Sequence, residues 1–135
     1  MTAKLQKARV GRLATVDERA RPHLIPICYV FDGGVFYTAV DAKPKRVEGK
    51  QLVRVRNIQA NPQVALLVDE YDEDWGRLWY ILVRGTATVL DNSGEKQKAM
   101  RLLKEKYAQY RTSLLPKDAL IIRVRPQQMT GWGKL

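Results

Sequence analysis

Between residues 43 and 62 the chain reads KPKRVEGKQLVRVRNIQANP, six basic residues against one acid, Glu48. At about 100° per residue, a helix from Lys45 onward would gather Arg46, Lys50, Arg54 and Asn57 on one arc and set Val47, Leu52, Val55 and Ile58 on the other. Arg46, Lys50 and Arg54 recur at i, i+4 and i+8 without matching acids, so the arc lacks the ion pairs that usually support an exposed helix. It is suited to an anion from elsewhere. The segment follows Asp41-Ala42-Lys43-Pro44, so the first-turn amides, with Lys45 and Arg46, could face a phosphate. A solvated helix face is the competing reading of the same residues.

The rest of the chain offers no conventional catalytic set. There is no convincing triad, carboxylate pair or imidazole-based acid–base pair, and no catalytic side chain is assigned. Cys28 and His23 are each the single example of their type, which excludes an intramolecular disulfide and a cysteine-based zinc site. The acids cluster only at residues 69–74, in an expected loop, and no metal is expected there. Net charge is +10, from 24 Lys and Arg against 14 Asp and Glu, which points to an anionic partner without naming it. No apolar run approaches the roughly 20 residues that span a bilayer, and the first residues, MTAKLQKARVGRL, contain no apolar core of a secretory signal. The expectation is a cytoplasmic protein, away from membranes.

These groups must be positioned by a single domain over 1–135, long enough to bury about two thirds of its unfolded surface. Residues 2–9 read as a short helix and 10–16 as a strand. A second strand over 24–31 is followed by Asp32-Gly33-Gly34, a hairpin signal, and 35–40 returns antiparallel. Pro26 lacks an N–H, so it marks an edge, a bulge or a place where backbone meets a ligand, and Pro26 and Ile27 are cofactor-binding candidates. After the basic helix, strands are expected at 63–68 and 78–90, with Gly85 at a bulge or bend. A helix over 93–110 carries Ala99, Leu102, Leu103, Tyr107 and Tyr110 at helical spacing, capped by Asn92 or Ser93. Residues 120–124 form the last strand, ahead of a Gly-flanked Trp132. Successive hairpins interrupted by two helices favour an antiparallel barrel over a doubly wound sheet.

Taken in order, Phe36-Tyr37-Thr38, the run from Arg54 to Asn61-Pro62 and the strand through Gly85 resemble the pyridoxamine 5′-phosphate oxidase-like family of split β-barrel flavoproteins, over residues 8–132. Leu13-Ala14-Thr15-Val16, Lys43-Pro44-Lys45-Arg46 and Gly131-Trp132 resemble its branch of small oxidoreductases using the deazaflavin coenzyme F-420. The resemblance implies a mainly β (α+β) fold, a six-stranded antiparallel split β-barrel of the FMN-binding type with two to three flanking helices. It also implies a homodimer with cofactor sites in the groove between the barrels. Tyr37 and Thr38 fall where the family's strand contacts the flavin or its phosphoribityl arm. In one register Arg54 takes the family's phosphate-binding position; in another Lys45 and Arg46 do. Trp75, Trp79, Tyr80 and Trp132 are candidate walls over the ring, with core packing expected of at least one of Trp79 and Tyr80. The second-strand Arg and Lys and the C-terminal Arg-x-His that hold the vitamin B6 phosphate in true oxidases are absent, which argues against that substrate.

The implied function is an oxidoreductase that uses coenzyme F-420, or alternatively FMN, to pass hydride to a small conjugated organic substrate. A cofactor that carries the hard step asks little of side chains, which agrees with the missing triad. The alternatives are a non-catalytic FMN- or haem-binding split barrel, with His23 the one available imidazole, and a basic nucleic-acid-binding small barrel. The last is disfavoured, because the charge sits on a helix and not interleaved with aromatics on one sheet face.

Overall fold

Residues 11–16, 63–70 and 79–89 become strands along which burial alternates, inward side chains buried and outward ones more open. The computed structural model describes residues 1–40, 52–91 and 93–135. Its elements are α1 (Thr2–Lys7), β1 (Gly11–Val16), β2 (Pro22–Ile27), β3 (Val30–Asp32), β4 (Val35–Ala39), α2 (Val53–Ala60), β5 (Gln63–Glu70), β6 (Trp79–Val89), α3 (Gly94–Lys106) and β7 (Ile121–Gly133), with 3-10 turns at Trp75–Arg77 and Ala108–Arg111. The helical arc expected from Lys45 is not carried by one helix: α2 begins at Val53, and Leu52 before it is extended. Arg46 and Lys50 lie outside the described residues.

The seven strands form one sheet in the order β2-β1-β5-β6-β7-β4-β3, every pair antiparallel. Its two edges, β2 and β3, are consecutive in the chain and separated only by Cys28 and Tyr29. The sheet therefore has to roll until its edges meet, which makes it a split barrel. Tyr29, fully buried, holds the seam. Its N–H donates to the Tyr107 hydroxyl at 3.0 Å, its own hydroxyl donates to the Leu5 carbonyl at 2.6 Å, and its carbonyl accepts from Lys106 Nζ at 3.0 Å.

The mainly β split barrel expected from the sequence is thus the observed fold, with seven strands in place of six. The run 24–31 is not one strand, because the chain crosses from one sheet edge to the other at Cys28 and Tyr29. Pro26 does sit on an edge strand, opposite Arg12. The last strand reaches Gly133, far beyond residue 124, because β6 offers a partner as far as Trp79. Trp132 therefore lies in a paired strand, not on a loose end. The third helix stops at Lys106, where Tyr107 turns extended. Its hydroxyl is needed at the seam, 2.9 Å from both the Tyr29 and the Arg9 carbonyl oxygens, which share its one proton.

Two glycine sites shape the barrel. Gly33 and Gly34 adopt φ of 59° and 83° between the paired Asp32 and Val35, the two left-handed residues that a two-residue hairpin turn needs. At Gly85 the β6–β7 register shifts, and a Cβ there would stand 2.3 Å from the Arg125 carbonyl oxygen.

Two cores result. The barrel interior is filled by Leu13, Phe36, Leu66, Ile81, Val83 and their neighbours, with Val55 and Ile58 of α2 and Leu5 of α1 packed against them. α2 leads directly into the Gln63 end of β5, while α1 sits toward the other end, with Lys4 Nζ 5.3 Å from the centroid of the Trp79 ring. A second core lies outside the barrel, where Ala99, Met100 and Leu103 of α3 cover Tyr37, Ala39 and Ile121. No described helix covers the outward face of β2, β1, β5, β6 and the far half of β7. That bare face is where the candidate site is found.

Candidate functional site

Strand registers define the bare face row by row. One row across β2-β1-β5-β6-β7 runs Leu24, Ala14, Ala65, Arg84, Gln128; the next runs Pro26, Arg12, Leu67, Leu82, Thr130; a third joins Asp69, Tyr80 and Trp132. The small side chains of Ala14 and Ala65 are partners across β1 and β5, in one row with Leu24, 65% exposed. Arg84 continues the same row, is exposed and has no ion-pair partner among the described residues. Sequence reasoning missed it, although alternation along β6 puts it on the outward row.

At one end of the face Tyr80 and Trp132 stack, with ring centroids 5.7 Å apart and planes inclined by 21°. Both stay open to solvent, at 37% and 52%. The β5–β6 connection at the same end carries Tyr71 and Trp75, also exposed, with Trp75 Nε1 3.4 Å from the Tyr71 hydroxyl. Trp79 points the other way, into the barrel, at 4% exposure. Its Nε1 is buried without a hydrogen-bond partner. Of the two candidate walls on β6, Tyr80 is therefore the available one and Trp79 is core.

The other end is cationic. The β1–β2 turn and α2 bound a cleft of about 410 Å³ lined by Arg19, Arg21, Arg56, Asn57, Asp17 and Glu18, among others. Asp17 organises the turn, accepting from the Arg19 and Arg21 amides at 2.8 and 3.0 Å and from Arg21 Nε at 2.7 Å. Hydrogen bonding from the Arg21 amide, ahead of the other contacts, holds its carboxyl below the usual range. Arg19 and Arg21 look scattered in the sequence, and the hairpin brings them beside Arg56. From Gln63 to Asp69 along β5, the cleft end and the aromatic end are about 20 Å apart at 3.3 Å per residue.

The remaining candidates divide by burial. Asn57, expected on the open arc, is 5% exposed, and its Nδ2 donates to Thr15 Oγ1 at 3.0 Å. Arg54 is half-buried on α2 and does not line the cleft, where the basic residue of α2 is Arg56. Ile27 is buried in the barrel. Thr38 is 4% exposed and donates to the Cys28 carbonyl at 2.7 Å. Tyr37 lies under α3, donating to Glu95 Oε2 at 2.8 Å while Arg123 Nη1 donates to Glu95 Oε1 at 2.7 Å. Burial first, then the bond to Glu95, raises the Tyr37 hydroxyl to about 12, and the Tyr37 bond, followed by that of Arg123, lowers Glu95. This network docks α3 on the sheet. Tyr37 thus has its hydroxyl committed away from the bare face. His23 sits on the inward row opposite Thr15, its Nδ1 buried and unpartnered.

A seven-stranded split barrel with one helix-covered and one bare face defines the class of small split-barrel proteins. The chain belongs to the pyridoxamine 5′-phosphate oxidase family, whose model matches residues 1–133. Among curated proteins, the 5a,11a-dehydrotetracycline/5a,11a-dehydrooxytetracycline reductase of Streptomyces rimosus subsp. rimosus is 27% identical over 128 residues, covering 91% of this chain and 73% of that one. Among solved structures, the heme storage protein HutZ of Vibrio cholerae superposes with a TM-score of 0.77 at 18% identity, covering 98% of this chain and 90% of the other. An FAD-binding protein of Mesorhizobium loti gives 0.71 at 22% identity, with 96% and 89% covered. At these identities the two structures report the fold.

Proposed function

We propose that the protein is a homodimeric oxidoreductase that binds a deazaflavin, coenzyme F-420, or alternatively FMN, and transfers hydride to a small conjugated organic substrate. The observation that carries this reading is the bare outward face, with the small Ala14 and Ala65 in one row, Arg84 without an ion-pair partner among the described residues, and the Tyr80–Trp132 stack at one end. A sheet face on which Leu24 stands open to solvent beside Pro26, Leu67 and Leu82, with Tyr80 and Trp132 exposed at one end, favours a partner. A second copy related by a two-fold axis presents the same patch to itself. The cationic cleft and the aromatic stack lie too far apart on one chain to enclose a single ring and its phosphate. A two-fold axis running across the strands would bring the cationic end of one copy toward the aromatic end of the other.

The residues present fit such a cofactor. Tyr80 and Trp132 offer flat apolar surface to a planar ring, and small Ala14 and Ala65 leave room beside it. Arg84, Arg56 and Arg19 supply donors for phosphate or carboxylate oxygens, as bonds worth roughly 1.5–3 kcal/mol each when well formed. When bound, the cofactor supplies the hydride chemistry. The chain's own part is to orient it, exclude water with the partner's face and hold its anionic groups. Coenzyme F-420 is favoured over FMN because its lactyl phosphodiester and glutamate tail carry more negative charge, which suits the cationic end of a +10 chain. A haem-binding role is less well supported, since His23 faces inward. The test is separate fluorescence titrations with FMN and coenzyme F-420, alongside the mass in solution. Tight binding by a dimer supports the reading, and binding of neither cofactor overturns it.

A further inference from the structure

The segment joining β5 to β6, residues 71–78, is built to hold aromatics in the open. Asp72 accepts from the Asp74 amide at 2.8 Å, Asp74 accepts from the Gly76 amide at 3.0 Å, and Arg77 lies 3.5 Å from Asp72. On this hydrogen-bonded connection Tyr71 is 65% and Trp75 71% exposed, more than any other described aromatic side chain. A Trp or Tyr left in water forgoes roughly 2–3 kcal/mol of burial, so two such residues on one short connection indicate something that covers them.

The charge around them is opposite to that of the chain as a whole. Residues 69–74 contribute five of the 14 acids of a molecule with net charge +10. Asp69 is paired with Arg12 and Asp72 with Arg77, while Asp74 caps the turn. Glu70 and Glu73 have no ion-pair partner among the described residues. At physiological salt, screening over about 8 Å leaves this local negative potential in place and mutes the distant basic charge. Exposed aromatic faces next to free carboxylates attract flat cations, through stacking, cation–π attraction and Coulomb attraction together.

We infer that Tyr71 and Trp75, with Glu70 and Glu73, form a recognition surface for a planar conjugated molecule bearing a protonated amine. Its assignment as the substrate side of the cofactor groove rests on the function proposed above, because the Tyr80–Trp132 stack lies at the same end of the face. The surface itself does not need the cofactor to exist, and this separates the two claims experimentally.

The test is a titration of the cofactor-free protein with proflavine, a flat tricyclic cation, at about 0.15 M salt, read by tryptophan quenching. Anthracene-2-sulfonate serves as the flat anion. The expected result is saturable proflavine binding that weakens about tenfold in Trp75→Ala and about threefold or more in Glu70→Gln/Glu73→Gln, with the sulfonate bound at least about tenfold more weakly than proflavine. The two Glu substitutions leave the capping aspartates in place, so the connection keeps its shape. Equal affinity for the sulfonate, or proflavine affinity unchanged by Trp75→Ala, would overturn the inference. Proflavine binding with this mutational pattern in a protein that takes neither FMN nor F-420 would support the surface and detach it from the redox reading.

Discussion

Asn57 Nδ2 donates to Thr15 Oγ1 at 3.0 Å, and both side chains are buried, at 5% and 0% exposure. The bond ties α2 to β1 inside the Gln63 end of the barrel. Asn57→Ala leaves the Thr15 hydroxyl without this partner in the core and is expected to cost about 1–3 kcal/mol, against less for the paired change Asn57→Leu/Thr15→Val. Urea unfolding of the three proteins decides it; an unaffected midpoint in Asn57→Ala would show the bond to be dispensable.

Cofactor affinity should depend on Arg84. Arg84→Met keeps the side chain's length and removes its charge, and it is expected to weaken F-420 or FMN binding about 10- to 100-fold with the melting temperature unchanged. Arg56→Ala at the cationic cleft should weaken it too, and should flatten its dependence on salt. If both variants titrate like the wild type, the anionic groups are held elsewhere.

Leu24→Glu places a charge on the most exposed apolar side chain of the bare face. In a dimer built on that face the substitution buries an unpaired carboxylate, so sedimentation equilibrium should find monomers and a lower cofactor affinity at the same time. A dimer of undiminished stability would move the interface to another surface.

Lys106 is half-buried, donating to the Ala8 carbonyl at 2.6 Å and the Tyr29 carbonyl at 3.0 Å, its Nζ 4.3 Å from the centroid of the Tyr29 ring. Desolvation, helped by Arg9, lowers its pKa from 10.5 to about 8. Between those values the unfolded chain binds more protons than the folded one, so stability rises with pH from about 8 to about 10.5 and is flat in this group below 8. The rise should be measurable by urea unfolding between about pH 8 and 10, below the ordinary tyrosine value, and absent in Lys106→Met.

Gly85→Ala would set a methyl group 2.3 Å from the Arg125 carbonyl oxygen, a backbone atom that cannot swing away. The bulge must open, at an expected cost of about 1–3 kcal/mol or more. Thermal unfolding of the variant measures this directly, and an unchanged melting temperature would mean that the β6–β7 ladder slips freely.

Much of the fold was legible in the chain because its signals are local. Largely apolar runs bounded by polar or turn-forming residues mark β1, β5 and β6, Gly33-Gly34 marks a turn only positive φ can make, Pro26 marks an edge, and Gly85 marks the bulge. The full length of β7 was not legible: 126–133, PQQMTGWG, carries no alternation of its own, and its pairing is lent by β6. The break of 24–31 at Cys28 and Tyr29 was hidden for a related reason, since the run stays apolar on both sides of the crossing.

The sequence by itself determined the family, the barrel class, the excess of positive charge and four candidate wall aromatics, Trp75, Trp79, Tyr80 and Trp132, from which the fold alone selected the Tyr80–Trp132 stack. Only the tertiary structure decided which polar and charged groups face outward together. Helical spacing put Asn57 with the cations, yet the packing of α2 against β1 turned it inward to Thr15. The β1–β2 hairpin brought Arg19 and Arg21 to Arg56, and the strand registers placed Arg84 beside Ala14 and Ala65. Each of these depends on contacts between residues distant in the chain, which periodicity, a property of one element at a time, does not encode.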